Sequence, residues 1–162
     1  MGKNGRMSMH VILAHHEAGH VVADLLGGIE VSRTSVIDPI GGRTDVLGCE
    51  EADLEGMEPV ARRERLESAV IGLLAGPIAE EAYTGVYDAE RAAADLHSAA
   101  ELGFACLPDG LTWATFEQGL TLRARQLVSH WWSVISELAS ELADRGEMTE
   151  HQLDTFFADR LS

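Results

Sequence analysis

The sequence predicts a mainly helical α+β domain with one small sheet beside its first long helix. Three observations carry that expectation. Apolar residues recur at helical spacing through several long stretches. One stretch, Ile29 to Asp38, instead alternates apolar and polar residues and is rich in β-branched side chains. The chain has 162 residues, 46% of them hydrophobic, which suffices for one domain with a sizeable core.

Met1 to Ser8 is polar with two glycines and reads as a loose tail, leaving residues 9–162 as the domain. From Val11 to Leu26 the apolar positions Val11, Ile12, Val21, Val22, Leu25 and Leu26 mark a helix that Gly27-Gly28 stops. Ile29 to Asp38 is a strand ending at Asp38-Pro39, with Gly41-Gly42 as the turn. Arg43 to Glu50 is either the return strand of a small sheet or an acidic surface loop, since Glu51, Asp53 and Glu55 follow. A second helix begins near Pro59, a favoured first-turn residue, and carries Leu66, Ala69, Val70, Leu73 and Leu74 on one side. A third runs from about Asp88 to Leu102. Thr112 to Arg145 is one long helical stretch with a break near Gly119, and Gly146 ends it. Thr149-Glu150-His151-Gln152 matches a capping box and opens a short terminal helix.

The first helix carries His16-Glu17-Ala18-Gly19-His20, a His-Glu-x-x-His pattern. Residues four apart share a helix face, so both imidazoles can bind one Zn²⁺ from the same side. Glu17 is then placed to act as general base toward a water activated by the metal. The plain alternative is a solvated helix with two histidines. Apolar residues bracket the motif, as a buried metal helix requires, and Ala18 and Gly19 allow another segment to approach closely.

A catalytic zinc needs a third protein ligand. An elongated motif would place it on the same helix, but Ala23 and Leu26 occupy the extra positions, so it comes from further along the chain. Aspartate and glutamate are common here, and chemistry alone does not choose among them. Glu80 and Glu81 lie near the end of the second helix, where one of them either accepts a hydrogen bond from a zinc-bound imidazole or solvates the surface. Asp95 sits among Ala92, Ala93, Ala94, Ala99 and Ala100, either buried beside a cation or exposed on an alanine-rich face. His15 falls on a different face from His16 and points away from the metal. His97, two residues past Asp95, reads as structural. His130 and His151 have no ligand-like spacing.

Three blocks resemble the peptidase domain of the FtsH-type AAA zinc metalloproteases. Ala14 to Ala23 is similar to that family's zinc helix, Leu73 to Glu81 to its Leu-Gly-Gly-Arg-x-Ala-Glu-Glu segment, and Ala94 to Leu102 to its Asn-Asp-Leu-x-x-Ala-Thr-x-Leu helix. The blocks keep the family's order and similar separations. The resemblance implies a zincin-like fold, with His16, His20 and Asp95 as zinc ligands and Glu17 as catalytic base, and it favours Glu80 as the imidazole's partner. The chain departs from the pattern where Pro77 replaces arginine, with a bend in the helix expected there, and where Ala94 replaces asparagine. Val46-Leu47-Gly48-Cys49-Glu50 replaces a groove strand of apolar preference.

The family also carries membrane segments and an ATPase module. No Gly-x-x-x-x-Gly-Lys-Ser/Thr loop occurs in this sequence, and its longest apolar run is short of the roughly 20 residues that span a bilayer. The peptidase domain is therefore read as standing alone, with peptides or unfolded polypeptides as substrates and a separate ATPase or unfoldase for folded ones. The family's hexameric rings make a smaller homo-oligomer the expectation for this chain. A formal net charge of −15 argues against nucleic acid and anionic membranes as partners. Cys49 and Cys106 suit free thiols in a reducing cytoplasm. The competing reading is a zinc-binding interaction module that keeps the site and cleaves nothing.

Overall fold

The computed structural model describes residues 7–37 and 41–161. Helix α1 spans Met9–Leu26 and is the centre of the molecule. Every residue from Ala14 to Asp24 is buried. A helix enclosed on all sides is a core element, yet this one carries His15, His16, Glu17, His20 and Asp24 among its buried residues. Buried polar groups are the informative exceptions to apolar cores, and here they crowd onto one element.

Strands β1 (Glu30–Ile37), β2 (Gly41–Leu47) and β3 (Glu147–Thr149) form an antiparallel sheet in the order β2-β1-β3. Gly41 and Gly42 pair with Ile37 and Val36, so they are strand residues and not the turn expected of them. The expected strand end at Asp38-Pro39 lies outside the described residues. The return strand stops at Leu47, short of Glu50, because Gly48 takes a positive φ of 79°. Glu50 instead caps the short helix α2 (Glu51–Glu55) by reciprocal bonds with Asp53, which turns an acidic run into a helix start.

Helix α3 (Pro59–Thr84) starts at the predicted proline and continues as one helix through Pro77. Helix α4 (Ala89–Ala105) is capped by Asp88, whose side chain accepts from the Arg91 amide. The stretch expected to break near Gly119 does not. Gly119 faces open space inside α5 (Trp113–His130), and the break falls at Trp131, before α6 (Trp132–Arg145). Two adjacent indoles cannot share one helix face, and the turn between them lets both pack, partly buried, against the core. Gly146 ends α6 with φ 77°, and α7 (Glu150–Phe157) opens with the Thr149–Gln152 capping box.

The core is a single cluster in which α1 packs between α3, α6 and the sheet. Among the described residues no helix is long and apolar enough to cross a membrane.

Candidate metal centre

His16 and His20 lie one turn apart on α1, and their outer ring nitrogens are held from the α3 side. His16 Nδ1 donates to Glu80 Oε2 at 2.9 Å, and His20 Nδ1 donates to the Gly72 carbonyl at 2.8 Å. With Nδ1–H committed on each ring, both Nε2 atoms are left as acceptors facing inward. They converge on one carboxylate oxygen of α4. Asp95 Oδ2 lies 2.9 Å from His16 Nε2 and 3.3 Å from His20 Nε2.

Three acceptors at that separation require a cation among them. Tetrahedral zinc with bonds of 2.0–2.1 Å sets its ligand atoms about 3.3 Å apart, so two imidazoles and a carboxylate at this spacing fit the metal. Without metal, protons take that place. Burial disfavours imidazolium, but hydrogen bonds to Asp95 outweigh it, raising the pKa of His16 and lifting that of His20 to about 10. Burial acts in the opposite sense on Asp95, and the same two hydrogen bonds hold its carboxyl far below the usual carboxylate range.

Glu80 is itself anchored. Arg91, one turn before Asp95 on α4, donates from Nε to Glu80 Oε1 at 2.7 Å and reaches Asp88 at 3.1 Å. Burial works against the Glu80 carboxylate, yet its bonds to His16 and Arg91 lower its pKa and keep it ionised. A carboxylate–imidazole pair of this type fixes ring orientation and increases ligand basicity. Glu81 points elsewhere, to Arg125 at 2.8 Å.

Glu17 faces the other way, toward β2. Thr44 donates to its Oε2 at 2.6 Å. Since the Thr44 proton is so committed, Thr34 on β1 is the donor in the 3.0 Å contact between the two hydroxyls. Gly42 makes room for the carboxylate, because a Cβ there would overlap it. The ligand atoms of His16, Glu17 and His20 all lie within 4.8 Å of one another in buried surroundings, a set that suits Zn²⁺. The three side chains line a cavity of about 610 Å³, walled by Leu13, Ile29, Val46 and Leu73 and bounded by Asp95 and Asp24.

The remaining histidines stay apart from this cluster. His15 stacks on Tyr83 with ring centroids 3.8 Å apart and lies 5.8 Å from Trp132. His97 lies on another face of α4 from Asp95, as its spacing implies, but it packs against nothing in the core. It is exposed, facing Glu101 at 3.5 Å, because its position two residues past Asp95 turns it to the solvent side of α4. Ala94 and Cys49 line the cavity, whereas Glu50 is used on the α2 cap.

Sequence reasoning missed Arg91, Thr44 and Asp24. Arg91 stands four residues before Asp95, and Asp24 continues the row of His16 and His20 at the same four-residue step, so both had a spacing signal. Thr44 had none, since only strand pairing brings it to Glu17.

The molecule is thus a mainly helical domain whose His-Glu-x-x-His motif forms a buried zincin-type metal site within its central helix. No family model matches the chain, and no curated protein matches it.

Proposed function

We propose that the chain is a zinc metallopeptidase that hydrolyses peptide bonds in peptides or unfolded polypeptides, similar to the proteolytic domain of FtsH-type proteases. The observation that carries this reading is the position of Glu17. It is buried beside the two imidazoles, yet it is held by β2 and faces the cavity. A purely structural zinc site has no use for a carboxylate so placed.

In this reading His16, His20 and Asp95 hold the metal, and Glu80 keeps His16 in the tautomer that leaves Nε2 free. Zinc supplies Lewis acidity, making water acidic near neutral pH and polarising a carbonyl. Glu17 accepts the proton of the attacking water and passes it to the leaving amine. Thr44 holds the carboxylate toward the cavity. Since β2 is the edge of the sheet, an extended peptide adds alongside it as a further strand. Residues 9–162 form the catalytic domain, at work in a reducing cytoplasm. A separate unfoldase supplies segments of folded substrates, and several copies assemble.

The experiment compares wild type with Glu17→Gln on an unstructured peptide pool, with zinc content measured in parallel. The variant should keep its zinc and lose about 10²–10⁴-fold in rate, the usual contribution of a general base. Equal cleavage by both proteins rejects the mechanism. Absence of cleavage by zinc-loaded wild type favours a non-catalytic zinc-binding module.

A further inference from the structure

The cavity that holds the metal site is also lined by Asp24, a charged group that the proposed chemistry does not use. Asp24 follows His20 by one helical turn, about 6 Å further along the axis, on the same face. It is 7% exposed, and among the described residues no group bonds its carboxylate, whose oxygens keep a narrow contact with the solvent of the cavity. The carboxylate rests on Gly72, where a Cβ would overlap it. Ile29, Ala69 and Leu73 flank it as apolar walls, and the half-buried thiol of Cys49 lies close enough to feel its charge.

A buried carboxylate without a partner is costly, and natural sites balance such a charge with a cation. The other charged groups lining the cavity are already matched. Arg91 is bound to Glu80 and Asp88, Arg43 donates to Asp45 at 2.6 Å, Asp95 faces the two histidines, and Glu17 is bonded to Thr44. Among the described residues Asp24 is left as the carboxylate of the cavity with no hydrogen-bond or ion-pair partner, a group that a cation would hold ionised in place of a proton. Around it the walls suit an aliphatic stem, and a four-carbon lysine chain spans the distance from the metal site.

We propose that the Asp24 side of this cavity is a subsite for a cationic side chain, lysine or arginine, on the residue next to the scissile bond, with Asp24 as the specificity-determining group. The proposal rests on the peptidase reading for the identity of the substrate, but the subsite itself is independent of turnover. The net charge of −15 acts in the same direction, drawing basic segments toward the protein.

Two measurements test it. In the first, n-butylguanidinium and the neutral n-pentanamide are titrated into ¹⁵N-labelled, zinc-loaded protein. The cation should shift the amides around Gly72 and bind about 10-fold or more tightly than the amide, and Asp24→Asn should abolish that difference. This comparison can be made in wild type alone, so a variant that fails to fold does not obscure the answer. In the second, cleavage sites in a peptide pool should show lysine or arginine beside the cut bond, with the preference lost in Asp24→Asn. Equal binding of cation and amide overturns the subsite. Cleavage without basic preference also overturns it while leaving the peptidase reading intact. Asp24-dependent binding of the cation without any cleavage keeps the subsite and rejects the peptidase.

Discussion

The two halves of the metal centre are built from different materials. His16 and His20 are held by helices: Glu80 and the Gly72 carbonyl on α3, Asp95 on α4, with small residues at the crossing so that α1 and α3 nearly touch. Glu17, between them in sequence, is held by a half-buried strand at the edge of a three-stranded sheet. The two imidazoles are thus set by contacts between helices, and the carboxylate of Glu17 by the edge strand of the sheet. The contrast teaches that adjacent residues of one helix lean on different neighbours, so that in the proposed reaction metal binding and proton transfer should be separable by mutation.

Substitutions on the helical half should act on metal, and those on the sheet half on rate. Asp95→Asn should lower zinc affinity by more than the ~10–100-fold that loss of a supporting residue costs. Competition with a chromophoric chelator measures this, and wild-type affinity would show that Asp95 is not a ligand. Gly76→Ala and Gly42→Ala give the sharpest contrast. A Cβ at position 76 overlaps the His20 ring, whereas one at 42 overlaps the Glu17 carboxylate. Gly76→Ala should weaken zinc by about 10–100-fold, and Gly42→Ala should retain zinc while losing about 10–100-fold in peptide cleavage. If both variants lose metal equally, the two halves are not separable. Glu80→Gln belongs with the helical half and should cost zinc affinity about 10-fold, toward the lower end of that range.

The smallest effects concern protons. In zinc-free protein the raised His20 pKa contributes stability that is full below the unfolded value near 6.5 and is lost as pH rises through about 10. Asp24 has the opposite character. Burial pushes its pKa up to about 7, so the folded state holds a proton that the unfolded chain has released above roughly pH 4. Stability therefore declines between roughly pH 4 and pH 7 from Asp24, and between about 6.5 and 10 from His20. Urea titrations with chelator present should show both declines in wild type and only the upper one in Asp24→Asn. At pH 7 zinc uptake must displace the His20 proton, so calorimetry in buffers of different ionisation enthalpy should detect proton release.

What was legible in the sequence follows the range of the interactions. The His16–His20 pair is local, set by helix period, and needs no knowledge of the fold. The caps at Thr149 and Pro59 are equally local. Glu80 and Asp95 were named through resemblance, and the structure sets both against His16, but no rule of spacing links positions 16, 80 and 95. Strand β3 went unseen because three residues carry no period, and its Met148 is buried by partners distant in sequence, β1 among them. Gly41 and Gly42 read as a turn because glycine pairs usually mark one. Here Gly42 is kept free of a side chain by Glu17, a contact across the fold. The break at Trp131 was misplaced to Gly119 for a related reason: exposed glycine is tolerated within a helix, while adjacent large rings force a choice of direction.

The sheet beside Glu17 has a history in time as well as a shape. Its central strand pairs on one side with β2, which follows closely, and on the other with Glu147–Thr149, with Arg33 opposite Thr149. Pairings across such long sequence separation close slowly and late. While a ribosome is still making the chain, the helices that gather the histidines are already available, but β1 lacks one of its two neighbours. The carboxylate of Glu17 does not wait for that strand, because Thr44 and Gly42 reach it through the local pairing of β1 with β2. The order of synthesis therefore completes the side of the sheet that touches the metal helix first, and the far edge of β1 stays open until residues 147–149 emerge.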